Sequence, residues 1–504
     1  MKQKNLICIL LILAMAIVPV FAASCGDGKT GGSSGEDEKN SGPGDDGSED
    51  AGTASEGDSK ERYNPNFEPL DMGGYVFKFG SRDDEMYYHP YPVHTRDLIA
   101  EAENGDLIND AVYKRNTALE EKYNCKFEMT IYLEATGEGQ ANAVVEKSVK
   151  AGDTSFDLLM THMMIGIDSA TKGVFYDIAD FPNIDTSKPY WNHGANEGCS
   201  VGGRLYMGLS DLSFSTNENL YCIFFNKQLT QNYGIEDPYK LVQENKWTLD
   251  KFAELTKAGA MDLNGDGKMD DNDQYGYIST AAIQFLWAGG GHIMKKDEDD
   301  VPVIDFMNDR ALDIYDKTYD IVNSDSTYSK ELWWFTGDTI GMFANSQGVF
   351  YGNQLCRVNE LRNTEFDFGI VPFPKYDSAQ ERYYSYVDGH AAMMAIPLVL
   401  EKPEWTGILI EELSYVSYKD ILPVYYDVVL NVKLVRDEES VAMLEILFDS
   451  KVFDPAYIMG GGFHDMWVSS ISQQKRDFIS TYEKQEASNL RAIQKKIDTL
   501  LELE

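Results

Sequence analysis

Between residues 73 and 160 short apolar runs alternate with amphipathic stretches. "GGYVFKFG" at 73–80 reads as a strand. In "NGDLINDAVYKRNTALEEKYN", Leu107, Ile108, Ala111, Val112, Leu119 and Tyr123 recur at helical spacing with polar residues between them, which predicts a helix. "CKFEMTIYL" returns to strand. "EGQANAVVEKSVKAGD" then puts Ala141, Val144, Val145 and Val149 on one helical face and stops at Gly152, and "FDLLM" is a further short strand. This order is that of an α/β unit, a parallel sheet flanked by helices.

The pattern resumes with new pieces. "GGRLYMGL", "LYCIFFNKQL", "FDFGIVPFP" and "AAMMAIPLVL" have strand character. "WTLDKFAELTKA" is helical, with Thr248 as N-cap and Asp250 in the first turn. Beyond about residue 402 the chain turns largely helical, and its last stretch carries Phe478, Tyr482, Ile493, Ile497 and Leu500 as an apolar stripe suited to core packing. No repeat period is visible.

Composition places a different kind of segment at the start. Lys2 and Lys4 precede the apolar run "LICILLILAMAIVPVF", and Ala22, Ala23 and Ser24 lead into Cys25, the pattern of an export signal. The small residues before the cysteine resemble a bacterial lipobox, although Ala22 stands where leucine is usual; acylation of Cys25 would anchor the chain in a membrane. Residues 26–61, rich in Gly, Ser and acids and without an aromatic, cannot bury a core and are expected to be a disordered tether. As a flexible coil it would reach on the order of 30 Å. The folded part would then sit at the extracellular face of the cytoplasmic membrane.

Charge narrows the partners. The 504 residues carry 83 acids against 44 bases, a net charge of −39, which repels phosphate backbones and anionic lipid headgroups. Nucleic acid is therefore excluded as a partner, and neutral or cationic ligands fit better. Cys125, Cys199, Cys222 and Cys356 show no metal-ligand spacing, and either a disulfide or buried thiols would suit them.

One short motif carries ligand chemistry. In "DLNGDGKMDDND", Asp262, Asn264, Asp266, the Lys268 carbonyl, Asp270 and Asp273 occupy positions one, three, five, seven, nine and twelve of a calcium loop, with Gly267 at the sixth. Calcium sensors and dockerins pair two such loops, and no second copy exists here. A helix before the loop and a strand-like "QYGYIST" after it predict a structural calcium site within a domain. Hydrolase, metalloprotease, P-loop and dinucleotide signatures are all absent, so an enzyme lacks support, although distant carboxylates of a glycoside hydrolase leave no sequence signature. Trp287, in "FLWAGGG", and the pair Trp333 and Trp334 are candidates for stacking on sugar rings. His162 and His390 fall at predicted strand ends, where open α/β sheets bind ligands.

Taken in order, "SFDLLMTH", "GGRLYMGLSD", "CIFFNKQL", "NKWTLDKFAELTKA", "DLNGDGKMDDNDQYGY", "FLWAGGGHI", "GDTIGMFANSQGVF" and "FGIVPFPKYD" resemble the extracellular solute-binding lipoproteins of ABC importers, in the group that includes maltose-binding protein. The resemblance implies a two-lobed periplasmic-binding-protein-like α/β fold, with mixed sheets flanked by helices and a ligand cleft between the lobes. The implied division is a signal at 1–24, an anchor and linker at 25–62, a first lobe from 63–215 and 335–397, and a second from 216–334 and a helical 398–504. It also implies a monomer that captures a small-molecule solute, a carbohydrate first of all, and delivers it to an ABC transporter permease without catalysis. By motif position the ligand contacts would be Ser81, Arg82, Thr161, His162, Asp211, Asn217, Trp287, Trp333, Trp334 and His390. The competing expectations are a surface glycoside hydrolase and a calcium-dependent adhesion module.

Overall fold

The computed structural model describes residues 60–82, 95–132, 139–153, 155–279, 282–329, 339–428 and 438–503. The export signal, Cys25, most of the acidic linker, Trp333 and Trp334 lie outside the described residues.

The opening alternation folds as its periodicity predicts. β1 (Tyr75–Arg82), α1 (Leu107–Tyr123), β2 (Cys125–Tyr132), α2 (Gln140–Ala151) and β3 (Leu158–His162) follow in turn, with β1 parallel to both β2 and β3. Asp106 caps α1 by accepting from the N–H groups of Ile108 and Asn109, and left-handed Gly152 ends α2. β2 is an edge strand with exposed residues along it, whereas every residue of β3 is buried.

Ten further strands and six helices matter to the site. They are β4 (Tyr221–Asn226), α3 (Leu249–Ala258), β5 (Tyr275–Ser279), α4 (Gln284–Ala288), β6 (Met294–Lys296), β7 (Pro302–Ile304), β8 (Thr327–Tyr328), β9 (Gly348–Gln354) and β10 (Phe368–Val371). After them come β11 (Ser385–Tyr386), β12 (Ala392–Ala395), α5 (Pro403–Val416), α6 (Glu438–Asp449), β13 (Lys451–Val452), α7 (Pro455–Met459) and α8 (Phe463–Ser472). One sheet has the order β12-β3-β1-β2 and the other β10-β4-β9-β5-β8, each mixing parallel and antiparallel pairs. Thr248 does cap α3, its hydroxyl accepting from Lys251 N.

Two sequence expectations change here. "GGRLYMGL" is not a strand: Gly202 and Gly203 take φ of 61° and 78° and turn the chain so that Val201 bridges Arg204. The boundaries 335–397 and 398–504 also need redrawing. β9 and β10 hydrogen-bond to β4 and β5, so they belong to the second sheet, and only β12 returns to the first. In the other direction α5 packs on the first sheet's side, with Trp405 edge-on to Tyr75 at 5.3 Å and Glu412 accepting from the Tyr123 hydroxyl at 2.8 Å.

Two crossover segments run side by side between the sheets. Leu220 bridges Val387, and Asp388 N donates to the Asn219 carbonyl at 3.1 Å. The first crossover begins with a 3-10 run at Asp211–Asn219, held down where the buried Asp97 carboxylate accepts from Ser215 N at 2.9 Å. The last helix, α9 (Phe478–Glu502), buries its predicted stripe, and Ile493, Ile497 and Leu500 have no exposed surface. Burying each such side chain contributes about 1.5–3 kcal/mol. Cys125, Cys199, Cys222 and Cys356, the cysteines among the described residues, are free and buried, which decides between the two sequence alternatives, and burial pushes each thiol's pKa upward.

Candidate functional site

The ends of β1 and β3 and the turn into β12 converge. Arg82, the last residue of β1, donates from Nη2 to the His390 carbonyl at 2.5 Å. His162, the last of β3, lies edge-on to His390 with ring centroids 4.9 Å apart. His162 Nδ1 accepts from Met164 N at 3.1 Å, capping the short helix Met163–Ala170. His390 donates from Nδ1 to Asp388 at 2.5 Å. Burial alone would raise the Asp388 pKa, yet the charge and hydrogen bonds of His390 hold it below the usual carboxylate value. Ser81 and Thr161 are buried beside these strand ends, and the Thr161 hydroxyl donates to Asn142 Oδ1 at 2.8 Å.

Aromatic rings meet this polar group from the second sheet's side. Trp287, on α4, stacks on Tyr386 at 4.5 Å and 17°, and Tyr457 lies edge-on to both. Its indole N–H donates to Asp454 at 3.0 Å, so Trp287 is only 1 % exposed in this arrangement. Asp454 also accepts from Ile293 N at 2.8 Å, and from Ala456 N at 2.9 Å as the cap of α7. Burial raises the Asp454 pKa against the pull of these donors and of the neighbouring His292, whose own pKa burial lowers.

Gly389 joins the two groups. Its N–H donates to the Tyr457 hydroxyl at 3.0 Å, and a Cβ there would stand 2.9 Å from both His162 Cε1 and Tyr457 Oη. Only a residue without a side chain lets the histidines and the aromatic stack approach this closely.

Beyond the turn that carries Asp454, a cavity of about 630 Å³ opens. Asn192 and Glu197 line it on one side, His292 to Lys296 on another, and Arg382, Tyr384 and the Phe448–Pro455 stretch complete it. Lys296 on that wall belongs to a clasp formed by the β6–β7 hairpin turn. There Asp300 accepts from Ser200 Oγ and Gly203 N, both at 2.9 Å, and its carbonyl accepts from Gly202 N at 3.0 Å. Lys296 pairs with Asp300 at 3.0 Å and donates to the Ser200 carbonyl.

Of the ten ligand positions drawn from sequence, Ser81, Arg82, Thr161, His162, His390 and Trp287 thus gather in one neighbourhood. Asp211 stands apart from that group, facing Lys451 and Lys60, and burial pushes its carboxyl up to about 7. Asn217 is buried in the crossover, its carbonyl accepting from Leu220 N. Asp388, Tyr386, Asp454 and Tyr457 were not singled out. A usable signal was the "DP" step at Asp454–Pro455, since aspartate before proline marks a helix start.

The acidic loop lies elsewhere, closed by a Met261–Gln274 bridge between α3 and β5, as its helix-then-strand setting suggests. Asp262 accepts from Gly265 N and Gly267 N, Asn264 from Asp266 N, Asp266 from Lys268 N, and Asp270 from Asn272 N. Asp273 is fully buried and accepts from Leu263 N and Asp270 N. The Gly267 N–H, ahead of burial and the other bonds, lowers the pKa of Asp262. Among the described residues no three His, Cys, Asp or Glu side chains gather as a metal cluster.

No protein-family profile and no curated protein matches the chain. Solved structures do. UspC of M. tuberculosis is 13 % identical, with a TM-score of 0.54 over 83 % of this chain and 100 % of its own. A cyclo/maltodextrin-binding protein complexed with maltotetraose is 13 % identical, with a TM-score of 0.53 over 85 % and 96 %. The apo form of RafE from Streptococcus pneumoniae is 16 % identical, with a TM-score of 0.51 over 83 % and 98 %. The chain therefore has the two-lobed periplasmic-binding-protein-like fold, its mixed sheets flanked by helices.

Proposed function

We propose that the protein is a solute-binding protein that captures an oligosaccharide between its two lobes and passes it to an ABC transporter permease. The carrying observation is the meeting of Arg82, His162 and His390 with the Trp287–Tyr386 stack across Gly389. These groups are buried and bonded to one another in this arrangement, and parting of the lobes would free them as the polar partners that a sugar's hydroxyls need and the flat rings that cover its faces. Two antiparallel crossovers, bridged at Leu220 and Val387, run between the sheets and supply the hinge for opening and closing.

The ligand of one structural neighbour, maltotetraose, supports the carbohydrate class. The hydrolase reading lacks comparable support, because Asp388 is committed to His390 and Asp454 to backbone and indole N–H groups. The protein acts as a monomer, tethered through an acylated Cys25 to the outer face of the cytoplasmic membrane. Calcium at Asp262, Asn264, Asp266, Lys268, Asp270 and Asp273 serves the fold and not the ligand, supported by the order of donors along the loop. Isothermal titration of the mature protein against a panel of neutral and charged oligosaccharides tests the reading. Binding of at least one sugar at micromolar affinity or better is expected, and heats of dilution alone across the panel would overturn it.

A further inference from the structure

The 630 Å³ cavity inverts the charge of the protein around it. Its wall carries Lys295, Lys296, Arg382 and Lys451 against Glu197 and Asp449, whereas the whole chain has 44 basic residues to 83 acidic ones. Two of the four cations are already matched: Lys296 by Asp300 at 3.0 Å and Lys295 by Asp305 at 2.5 Å. The other two are not. Lys451 Nζ donates to the Phe448 carbonyl at 2.8 Å, and Arg382 Nη2 to the Asp449 carbonyl at 3.3 Å. Among the described residues neither makes an ion pair.

Position and environment keep these two charges together. β11 and β13 pair with Ser385 opposite Lys451, and Arg382 lies three residues before Ser385. Both cations therefore stand at the C-terminal end of α6, where main-chain carbonyls favour positive charge. Capping that helix uses one donor of the three on the ammonium and one of the five on the guanidinium. Burial lowers the Lys451 pKa to about 8, with Asp211 and Asp449 acting on it through space. The negative field of the whole chain does not cancel this patch at cellular ionic strength, because the screening length there is about 8 Å.

We propose that the solute is an acidic oligosaccharide whose carboxylate is held by Lys451 and Arg382 in this cavity. The proposal rests on the oligosaccharide reading and names the class within it. A cavity of this volume takes a sugar residue or two, and the remaining hydroxyls meet Asn192, Tyr384 and Glu197 on the same wall. The charge-assisted bonds to the carboxylate then select a uronate over a neutral sugar of equal length.

The test is calorimetric titration of tetragalacturonate and of maltotetraose into the mature wild-type protein and into Lys451→Met, Arg382→Gln and Lys451→Arg. Circular dichroism confirms that each variant is folded. The uronate is expected to bind at least about tenfold more tightly than the neutral sugar. Each charge-removing variant should lose about tenfold or more for the uronate alone, and Lys451→Arg should hold within about threefold. Binding of maltotetraose with the uronate refused, or uronate affinity that neither variant alters, overturns the acidic-ligand proposal and leaves the oligosaccharide reading standing. Refusal of both overturns this proposal, and refusal across the wider neutral and charged panel overturns the reading beneath it.

Discussion

Asp388 and Asp454 are both fully buried carboxylates at the site, and they are held in opposite ways. Asp388 answers to one imidazole, that of His390, two residues along its own turn. Asp454 answers to N–H dipoles from three separate elements: the Trp287 indole, the strand entry at Ile293 and the start of α7. The first arrangement lowers the carboxyl pKa, because His390 and its hydrogen bonds outweigh burial, and the second leaves it raised, because burial outweighs the N–H donors and the nearby His292. One carboxylate thus orders a polar corner, and the other fixes an aromatic wall.

The strongest way to break this contrast is Trp287→Ala. Removing a buried indole stacked on Tyr386 should cost about 3–5 kcal/mol of stability and leave Asp454 short of a donor. Denaturant unfolding measures it, and a loss under about 1 kcal/mol would show that the aromatic wall is not load-carrying packing. The pH dependence sharpens the contrast at smaller amplitude. Stability contributed by Asp388 is present above its unfolded pKa near 4 and lost as pH falls through its lower folded value. Asp454 acts with the opposite sign: its raised folded pKa makes stability rise as pH falls from that value towards about 4. Asp388→Asn should therefore blunt the acid-side loss, and Asp454→Asn should remove the gain, each by on the order of 1 kcal/mol. Thermal melts between pH 3 and about pH 8 would read both, and equal slopes in the two variants would refute the opposition. The smallest effect belongs to a region remote from either carboxylate. Chelating calcium should lower Tm by a few degrees with ligand affinity nearly unchanged, and a tenfold loss of affinity would place the loop in the binding machinery after all.

Much of the fold was legible because periodicity reports which face is buried. The β1-to-β3 alternation, the Thr248 cap and the terminal stripe need no tertiary information. Sheet membership does need it: the runs at β9 and β10 look alike from either lobe, and only their hydrogen bonds to β4 and β5 assign them. The site divided along the same line. That Arg82, His162 and His390 would come together could be read because strand ends are recognisable. Tyr386, Tyr457 and Asp454 could not, since what matters about them is a stacking partner or a donor far away in sequence. The unmatched charges of Lys451 and Arg382 were hidden too, beneath a composition that pointed to neutral or cationic ligands.

The four buried cysteines bear on how solute capture could be seen optically. Thiolate is the reacting species, and thiols kept neutral by burial react slowly with maleimides. A cysteine introduced at Glu197, exposed on the cavity wall, would therefore outpace the native thiols of the described body and carry a fluorophore to the cavity. The same packing that denies the fold a disulfide makes it a ready scaffold for a reagentless sensor.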